Sequence, residues 1–167
     1  MAITLDGNNT STVGVINSGT AQNTTSGTSI NVTGIPSGVK RITIMFNGVS
    51  ATGTNNFLIQ IGAGSVETTS YISESMLTRT AGNGPVTSTS GFVIQSYGAS
   101  FSHYGHMFIT NYGSNIWISS HSIIEQSMSA TFYGAGVKTL SGTLDRFSLI
   151  LSGADTFDGG AFNFLYE

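Results

Sequence analysis

The chain contains no cysteine, and this absence excludes several kinds of chemistry at once. Without thiols, the 167 residues can form no disulfide framework, no thiolate zinc site and no cysteine nucleophile. A chain of this length buries roughly 70% of the surface that it exposes when unfolded. The sequence therefore predicts one domain that needs no disulfide, metal or cofactor to fold.

Charge is also scarce, and positive charge most of all. Charged residues make up 8% of the chain, against about 25% in an average soluble domain, and the net charge is −3. The basic residues are Lys40, Arg41, Arg79, Lys138 and Arg146. A nucleic-acid-binding surface needs several cations on one face to neutralise phosphates, so we expect no nucleic-acid partner.

Long apolar runs are missing as well. No stretch approaches the 18 or so apolar residues of a membrane span, so we expect no membrane association. The N-terminal residues Met-Ala-Ile-Thr-Leu-Asp-Gly lack the basic start and apolar stretch of a signal peptide. We therefore expect a protein that is made in a cytosol and is not secreted.

Small polar residues and aromatic residues dominate what is present. Gly, Ser, Thr and Asn form nearly half of the chain, beside 10 Phe and 6 Tyr. Short alternating segments recur between turn signals, and no segment shows a convincing helical period. The sequence predicts an all-β protein, an antiparallel β-sandwich with a jelly-roll-like connectivity. The segments predicted as strands are 29–33, 39–49, 56–61, 66–72, 91–97, 103–110, 115–120, 128–133, 145–151 and 160–166.

The alternation also predicts which side chains enter the core. In the three clearest strands, every second residue is a large apolar one, which is typical of a strand with one buried face. The predicted core residues are Ile42, Ile44, Phe46, Phe57, Ile59, Phe147, Leu149 and Leu151.

Residues 1–29 differ in composition from residues 30–167. Aliphatic side chains are sparse before residue 30, too few for a core and too many for a free tail. We predict an extended N-terminal arm over 1–29 and a β-sandwich domain over 30–167. An extended arm can grip a partner by adding a strand to its sheet edge, so the arm is a predicted docking element. Its apolar residues are Ile3, Leu5, Val13, Val15 and Ile16.

Candidate catalytic and metal-binding groups are few. His103 and His106 point to opposite sides of a strand, and His121 lies apart from both, so a shared metal site is not favoured. Asp155 and Asp158 form the only close pair of carboxylates, and they are weak candidates for calcium binding. An aspartate in a glycine-rich loop is more often part of a turn. We expect no enzymatic activity.

Aromatic residues raise a second possibility, which is carbohydrate binding. Flat rings stack on sugars, yet a β-sandwich of this size also needs aromatic bulk in its core. Both interpretations stay open for the candidate glycan or partner surface, which consists of Tyr97, Phe101, Tyr104, Tyr112 and Trp117.

Several segments together carry a resemblance to a known family. These segments are 19–22, 25–30, 33–36, 39–43, 45–50, 58–62, 140–146, 155–159 and 166–167. With them the chain is similar to a β-sandwich module of bacteriophage and prophage virion proteins, which often forms the C-terminal end of tail-fibre-like chains. The resemblance covers roughly 19–167 and is weak over 70–135.

The resemblance implies a structural or binding role on a phage particle, with no catalytic motif. A single module behind a short arm, without a long fibre shaft, favours a capsid decoration (cement) protein that stabilises the head. The alternative is a short tail fibre that recognises a host surface glycan. The implied partners are other phage structural proteins, namely major capsid or tail proteins, and further copies in a homotrimer. The implied location is the virion, after synthesis in the bacterial host cytoplasm.

Overall fold

Strands and turns make up the described part of the chain. The computed structural model of the chain describes residues 15–78, 84–127 and 130–167, and no helix occurs among them. The strands are β1 (Asn17–Ser18), β2 (Gln22–Asn23), β3 (Ser29–Thr33), β4 (Arg41–Ala51), β5 (Phe57–Ala63), β6 (Ser65–Val66) and β7 (Tyr71–Thr78). They continue with β8 (Val86–Ser88), β9 (Phe92–Ile94), β10 (His103–Gly113), β11 (Ile116–Glu125), β12 (Ala130–Thr139), β13 (Arg146–Leu151) and β14 (Phe157–Tyr166).

Two antiparallel sheets pack face to face as a sandwich. The large sheet has nine strands in the order β1-β14-β4-β10-β11-β12-β7-β8, with β2 also paired to β14. The small sheet has five strands in the order β3-β13-β5-β6, with β9 paired to β5. The predicted all-β antiparallel sandwich is therefore confirmed. The jelly-roll connectivity is not confirmed, because β10, β11 and β12 form a simple meander within sheets of unequal size.

The core lies between the two sheets and is built by period-two alternation. Along β4, Ile42, Ile44 and Phe46 are buried, while the residues between them face outward. β5 and β13 contribute large apolar residues to the same cluster from the opposite sheet. All eight predicted core residues are confirmed as members of this one cluster.

Asn47-Gly48 does not end a strand, although the dipeptide Asn-Gly is typical of tight turns. β4 continues to Ala51, and Gly48 is an extra residue relative to both neighbouring strands, β10 and β14. Its φ of +72° is readily adopted by glycine, and Gly160 of β14 has a φ of +79° beside it. The backbones approach so closely that a side chain at Gly160 would collide with Gly48. The Asn-Gly pair therefore makes a β-bulge instead of a turn.

Other predicted boundaries also moved. The segment predicted as one strand over 66–72 is divided between β6 in the small sheet and β7 in the large one, with Ser70 at a positive φ between them. The strand predicted over 115–120 continues past its predicted end, and β11 reaches Glu125. In each case the pairing partner, and not the local sequence, sets where the strand ends.

Two of the loops that carry the chain from one sheet to the other interlock at one end of the sandwich. The β4–β5 loop (52–56) and the β13–β14 loop (152–156) make matching hydrogen bonds in both directions. Thr52 N donates to Thr156 O at 2.9 Å, and Ser152 N donates to Asn56 O at 2.9 Å. Thr156 N donates to the Thr52 hydroxyl at 3.1 Å, while Asn56 N donates to the Ser152 hydroxyl at 3.0 Å.

The residues around these hydrogen bonds also make equivalent contacts in both directions between the two loops. A Cβ at Gly53 would collide with the carboxylate of Asp155, and a Cβ at Gly153 would collide with the side chain of Asn55. Phe57 and Phe157, which begin the strands after the two loops, stack with ring centroids 6.1 Å apart. The two loops are thus related by an approximate twofold axis, and each closes the other.

Candidate functional site

The outer side of the large sheet is the most unusual surface of the molecule. Five neighbouring strands, β4, β10, β11, β12 and β7, pair in continuous register, so their outward residues form four rows across the sheet. We call these twenty positions the outer face. Its apolar members are Ile72, Met76, Tyr104, Phe108, Ile118, Ile124, Tyr133, Ala135, Val137 and Met45.

Several of these side chains are well exposed. Ile72 is 74% exposed, and Ile124 and Tyr133 are each 50% exposed. Among the twenty positions, the charged ones are Arg41 and Glu74, which lie on the two outermost of the five strands. Arg41 pairs with Glu167, and its guanidinium lies 5.9 Å from the centre of the Phe108 ring. A strand surface that faces water normally carries more charge than this.

An apolar groove of about 500 Å³ lies on this face near the β7–β8 edge. The floor of the groove is formed by Ile72, Val137 and Ile118, which pair with one another across β7, β12 and β11. Thr87–Thr89 line one side of the groove. The groove is contiguous with the rest of the outer face, where apolar residues occupy ten of the twenty positions and uncharged polar residues most of the others.

The outer side of the small sheet is different, because polar groups there are paired with one another. The Ser148 hydroxyl donates to the Asn31 side chain at 2.6 Å across β13 and β3. The Gln60 amide donates to the carbonyl of Ser90 at 2.8 Å. The two sides of the sandwich are therefore chemically distinct, and only the large sheet has the character of a contact surface.

One pair of side chains has the geometry of a serine–histidine dyad. The Ser75 hydroxyl lies 3.1 Å from Nε2 of His121, and burial lowers the pKa of His121 to about 4. Ser75 is fully buried, and its hydroxyl also accepts a hydrogen bond from Gln95 N at 3.2 Å. A nucleophile must be accessible to its substrate, and the buried Ser75 hydroxyl is not. The hydrogen bonds of this pair instead hold β7 against β11 and against the segment after β9.

His103 and His106 point to opposite sides of β10, as their spacing predicted. His103 is buried and its Nδ1 donates to the carbonyls of Phe101 at 2.8 Å and Val49 at 3.2 Å, while His106 is exposed. Burial lowers the pKa of His103. Within the described ranges, no group of three or more histidine and carboxylate side chains could hold a metal ion.

The two candidate calcium ligands serve separate contacts. Asp155 accepts a hydrogen bond from Asn55 N at 2.9 Å in the interlocked loops. Asp158 accepts hydrogen bonds from the hydroxyls of Ser50 and Ser100. Each carboxylate therefore accepts hydrogen bonds from a different neighbouring segment. The structure does not bring Asp155 and Asp158 together in one site.

The five aromatic residues proposed as a glycan or partner surface are not brought together. Trp117 is 3% exposed, so its assignment to an exposed surface is wrong, because position 117 falls on the inward side of β11. Tyr97 stacks on the core ring of Phe132. Phe101 is half-buried beside β10, while Tyr104 belongs to the outer face and Tyr112 is 75% exposed near the end of β10.

The arm is only partly within the described residues. Ile3, Leu5 and Val13 lie outside them, whereas Val15 and Ile16 are 71% and 57% exposed. The following residues add to the edge of the large sheet, where β1 and β2 pair with β14. Thr24 is fully buried and its hydroxyl donates to Gly159 O at 2.6 Å. Residues 17–24, which share the polar composition of the predicted arm, are therefore part of the sandwich.

Basic side chains are mostly engaged within the molecule. Lys138 is 5% exposed, lies 2.6 Å from the carboxylate of Glu67 and sits over the Tyr71 ring. Arg146 binds the neighbouring Asp145 at 2.8 Å. Arg79 lies outside the described residues. In the described part of the chain, no helix is present that could cross a membrane.

Sequence reasoning missed the outer face as a site. Its signal was present in β11, where Ile118 and Ile124 occupy the positions between inward-facing residues. A strand with apolar residues on both sides loses the simple alternation of apolar and polar residues. The outward apolar residues of such a strand can be recognised only when the face of each residue is known. Comparisons of the chain with protein-family models, with curated proteins and with solved structures gave no significant match.

Proposed function

We propose that this protein is a structural protein of a bacteriophage virion surface, a capsid decoration protein that works as a homotrimer. The observation that carries this proposal is the outer face, a broad apolar surface with little charge on an otherwise closed sandwich. The sequence resemblance supplies the phage context. The fold supplies a surface suited to permanent contact instead of catalysis.

The size of the outer face fits contact with a second copy of the chain. Five strands spaced by about 4.8 Å and four outward rows about 6.8 Å apart cover roughly 600–700 Å² of flat area. A stable interface of standard size buries about 800 Å² on each partner. The flat area of the outer face is therefore close to the area that each partner buries in a standard interface.

The charge of the face also favours copies of itself. In a trimer the three outer faces would lie around one axis, and like charges brought close to that axis would repel one another. The outer face has one basic and one acidic residue, Arg41 and Glu74, on its two outermost strands. Burying the outer face against other copies therefore removes few charged groups from water.

Attachment to the particle is assigned to the arm. Val15 and Ile16 leave the edge of the large sheet with exposed aliphatic side chains, and the residues before them include Ile3, Leu5 and Val13. An extended segment of this kind can add a strand to a partner's edge, with main-chain hydrogen bonds for affinity and alternate side chains for specificity. The trimer and the attachment to the shell thus use different surfaces.

The copy number of the protein in purified virions tests the proposal. We expect hundreds of copies per particle by quantitative mass spectrometry, since decoration proteins cover a shell with many equivalent sites. A dozen or two copies would instead assign the chain to a tail fibre. Absence of the protein from purified particles would contradict any virion role.

A further inference from the structure

The strand β3 has one unpaired edge in the small sheet. It pairs with β13 on one side, and among the described residues no strand pairs with its other side. β3 has five residues, whereas the other strands at the margins of the two sheets, β1, β2, β6, β8 and β9, have two or three. An unpaired edge presents main-chain N–H and C=O groups to which a further strand can bind.

The register with β13 shows which main-chain groups of β3 are free. Leu151 N donates to Thr28 O at 3.3 Å, in the register that continues through β3 and β13. Alternate residue pairs exchange hydrogen bonds in an antiparallel ladder, so Ile30 and Val32 are the residues that bond to β13. The residues between and beside them direct their N–H and C=O groups away from β13. We call these residues the β3 edge, and they are Ser29, Asn31 and Thr33.

The β3 edge is accessible and carries no protection against pairing. Its three residues are exposed, and within 15–78, 84–127 and 130–167 no group bonds to their main-chain atoms. Strand edges are commonly protected by charged side chains, by proline or by a bulge. β3 contains no proline, its register with β13 is continuous, and no charged residue occurs between Asp6 and Lys40.

The β3 edge is also complementary to itself. If two copies of β3 lie antiparallel with residue 31 opposite residue 31, then Ser29 of each copy lies opposite Thr33 of the other. Each facing pair exchanges two main-chain hydrogen bonds, so every free group of both edges is bonded. Ile30 then lies opposite Val32 on the core side of the sheet, and the apolar layer continues across the contact.

We propose that the β3 edge binds the β3 edge of a second copy, so that two small sheets join into one antiparallel sheet about a twofold axis. The contact involves five residues of each copy, against about 20–30 in an interface of standard size. Pairing is therefore weak in dilute solution and increases where copies are held close together. It uses neither the outer face nor residues 1–16, so it goes beyond the proposed function and does not depend on it.

Disulfide cross-linking tests which residues face each other, since the chain has no cysteine of its own. A disulfide needs Cα atoms within about 7 Å of each other. Asn31→Cys should form a covalent dimer under mild oxidation, because residue 31 faces itself across the twofold axis. Ser29→Cys is the matched control, because residue 29 is also exposed but is displaced by about 13 Å along the strand from residue 29 of the second copy. It should give several-fold less dimer.

A mixture of two variants tests the register and leaves the hydrogen bond from Ser148 to Asn31 in place. Ser29→Cys and Thr33→Cys should each give little dimer alone. Mixed together they should give a covalent heterodimer, because residue 29 of one copy faces residue 33 of the other. Electrophoresis without reducing agent measures the dimer, and circular dichroism confirms that each variant is folded.

Charged variants provide a measurement without a covalent bond. In Ser29→Lys/Thr33→Lys, two ammonium groups face each other at both ends of the contact, so the concentration-dependent association should be lost in sedimentation velocity. In Ser29→Lys/Thr33→Glu, each ammonium faces a carboxylate, and association should be at least as strong as in the unchanged protein. Adding Ile118→Lys should not alter the cross-links, because the outer face takes no part in them.

Two results would overturn the proposal. One is cross-linking that is equal for the three single cysteine variants, or absent from both Asn31→Cys and the mixture. The other is equal association of the two charged double variants. Loss of the trimer without loss of the cross-links would contradict the proposed outer-face contact and not the pairing of β3, so the two assignments can fail independently.

Discussion

Gly53 and Gly153 each lie under a side chain of the opposite corner loop. The carboxylate of Asp155 covers Gly53, and that same carboxylate accepts the hydrogen bond of Asn55 N. We expect Gly53→Ala to displace Asp155 and to lower the free energy of unfolding by about 1–3 kcal/mol. For a chain of this length the melting temperature should fall by about 2–4 °C per kcal/mol.

A control and a double variant make this test specific. A Cβ at Gly84 would meet nothing within 4 Å, so Gly84→Ala should melt at or slightly above the temperature of the unchanged protein. In the double variant Gly53→Ala/Asp155→Ala the collision is absent, so the two effects should be less than additive. Strict additivity would show that the two residues do not interact.

Phe46 and Met45 are neighbours on β4 that face opposite sides of the large sheet. Phe46 is 5% exposed within the core, whereas Met45 is part of the outer face. Phe46→Ala should lower the free energy of unfolding by about 3–5 kcal/mol, measured by urea denaturation. Met45→Ala should have a much smaller effect in the isolated subunit. Equal effects of the two variants would refute the assignment of inner and outer sides.

His121 makes stability dependent on pH. Its pKa falls from an ordinary 6.5 to about 4 on burial, so the unfolded chain binds more protons than the folded one between these values. Stability is therefore complete above about pH 6.5 and decreases as the pH falls towards 4. Between pH 7 and pH 5 the expected loss is about 2 kcal/mol.

Thermal melting across this pH range checks the assignment. His103 contributes in the same direction, because burial lowers its pKa as well. His121→Gln removes one of the two groups and keeps a polar contact to Ser75, so its melting temperature should depend less on pH. A variant with an unchanged pH profile would show that His121 is not a source of the effect.

At the scale of elements, the N-terminal segment divides into two parts with different roles. Residues 17–24 pair with β14 and bury Thr24, while Val15 and Ile16 are exposed. Deleting residues 2–16 should leave the melting temperature nearly unchanged. Deleting residues 2–24 should lower it by several degrees, since it exposes the edge of β14 and removes the hydrogen bond from Thr24 to Gly159.

The shorter deletion also tests attachment. If the arm docks on the particle, protein without residues 2–16 should be folded by circular dichroism and absent from virions. Full occupancy of this truncated protein on virions would place the docking surface on the sandwich instead.

At the scale of the whole molecule, the two sides of the sandwich should respond differently to added charge. Ile118 is 46% exposed on β11, the middle strand of the outer face, so Ile118→Lys should be tolerated by the isolated fold. Burying the new ammonium between copies would be unfavourable, so the trimer should dissociate to monomer in light-scattering measurements. Ser29→Lys, on the exposed edge strand β3 of the small sheet, should leave the trimer intact. A monomeric unchanged protein, or a trimeric Ile118→Lys variant, would contradict the assigned interface.

The sequence by itself determined the class of fold and the core. Alternation with a period of two is a local property, because successive side chains of a strand point to opposite faces whatever the strand pairs with. The eight core residues therefore followed from three strands read one at a time. The opposite orientation of His103 and His106 followed from the same rule.

Tertiary structure decided which side of a strand becomes a surface and where each strand ends. Asn47-Gly48 has turn chemistry, yet β10 and β14 on either side continue to pair past it and turn it into a bulge. Trp117 and Ile118 are both apolar neighbours, and only the pairing of β11 within the large sheet assigns one to the interior and the other to the outer face. The interlocked loops join residues a hundred positions apart. Such contacts depend on long-range pairing, and no local pattern in the sequence encodes them.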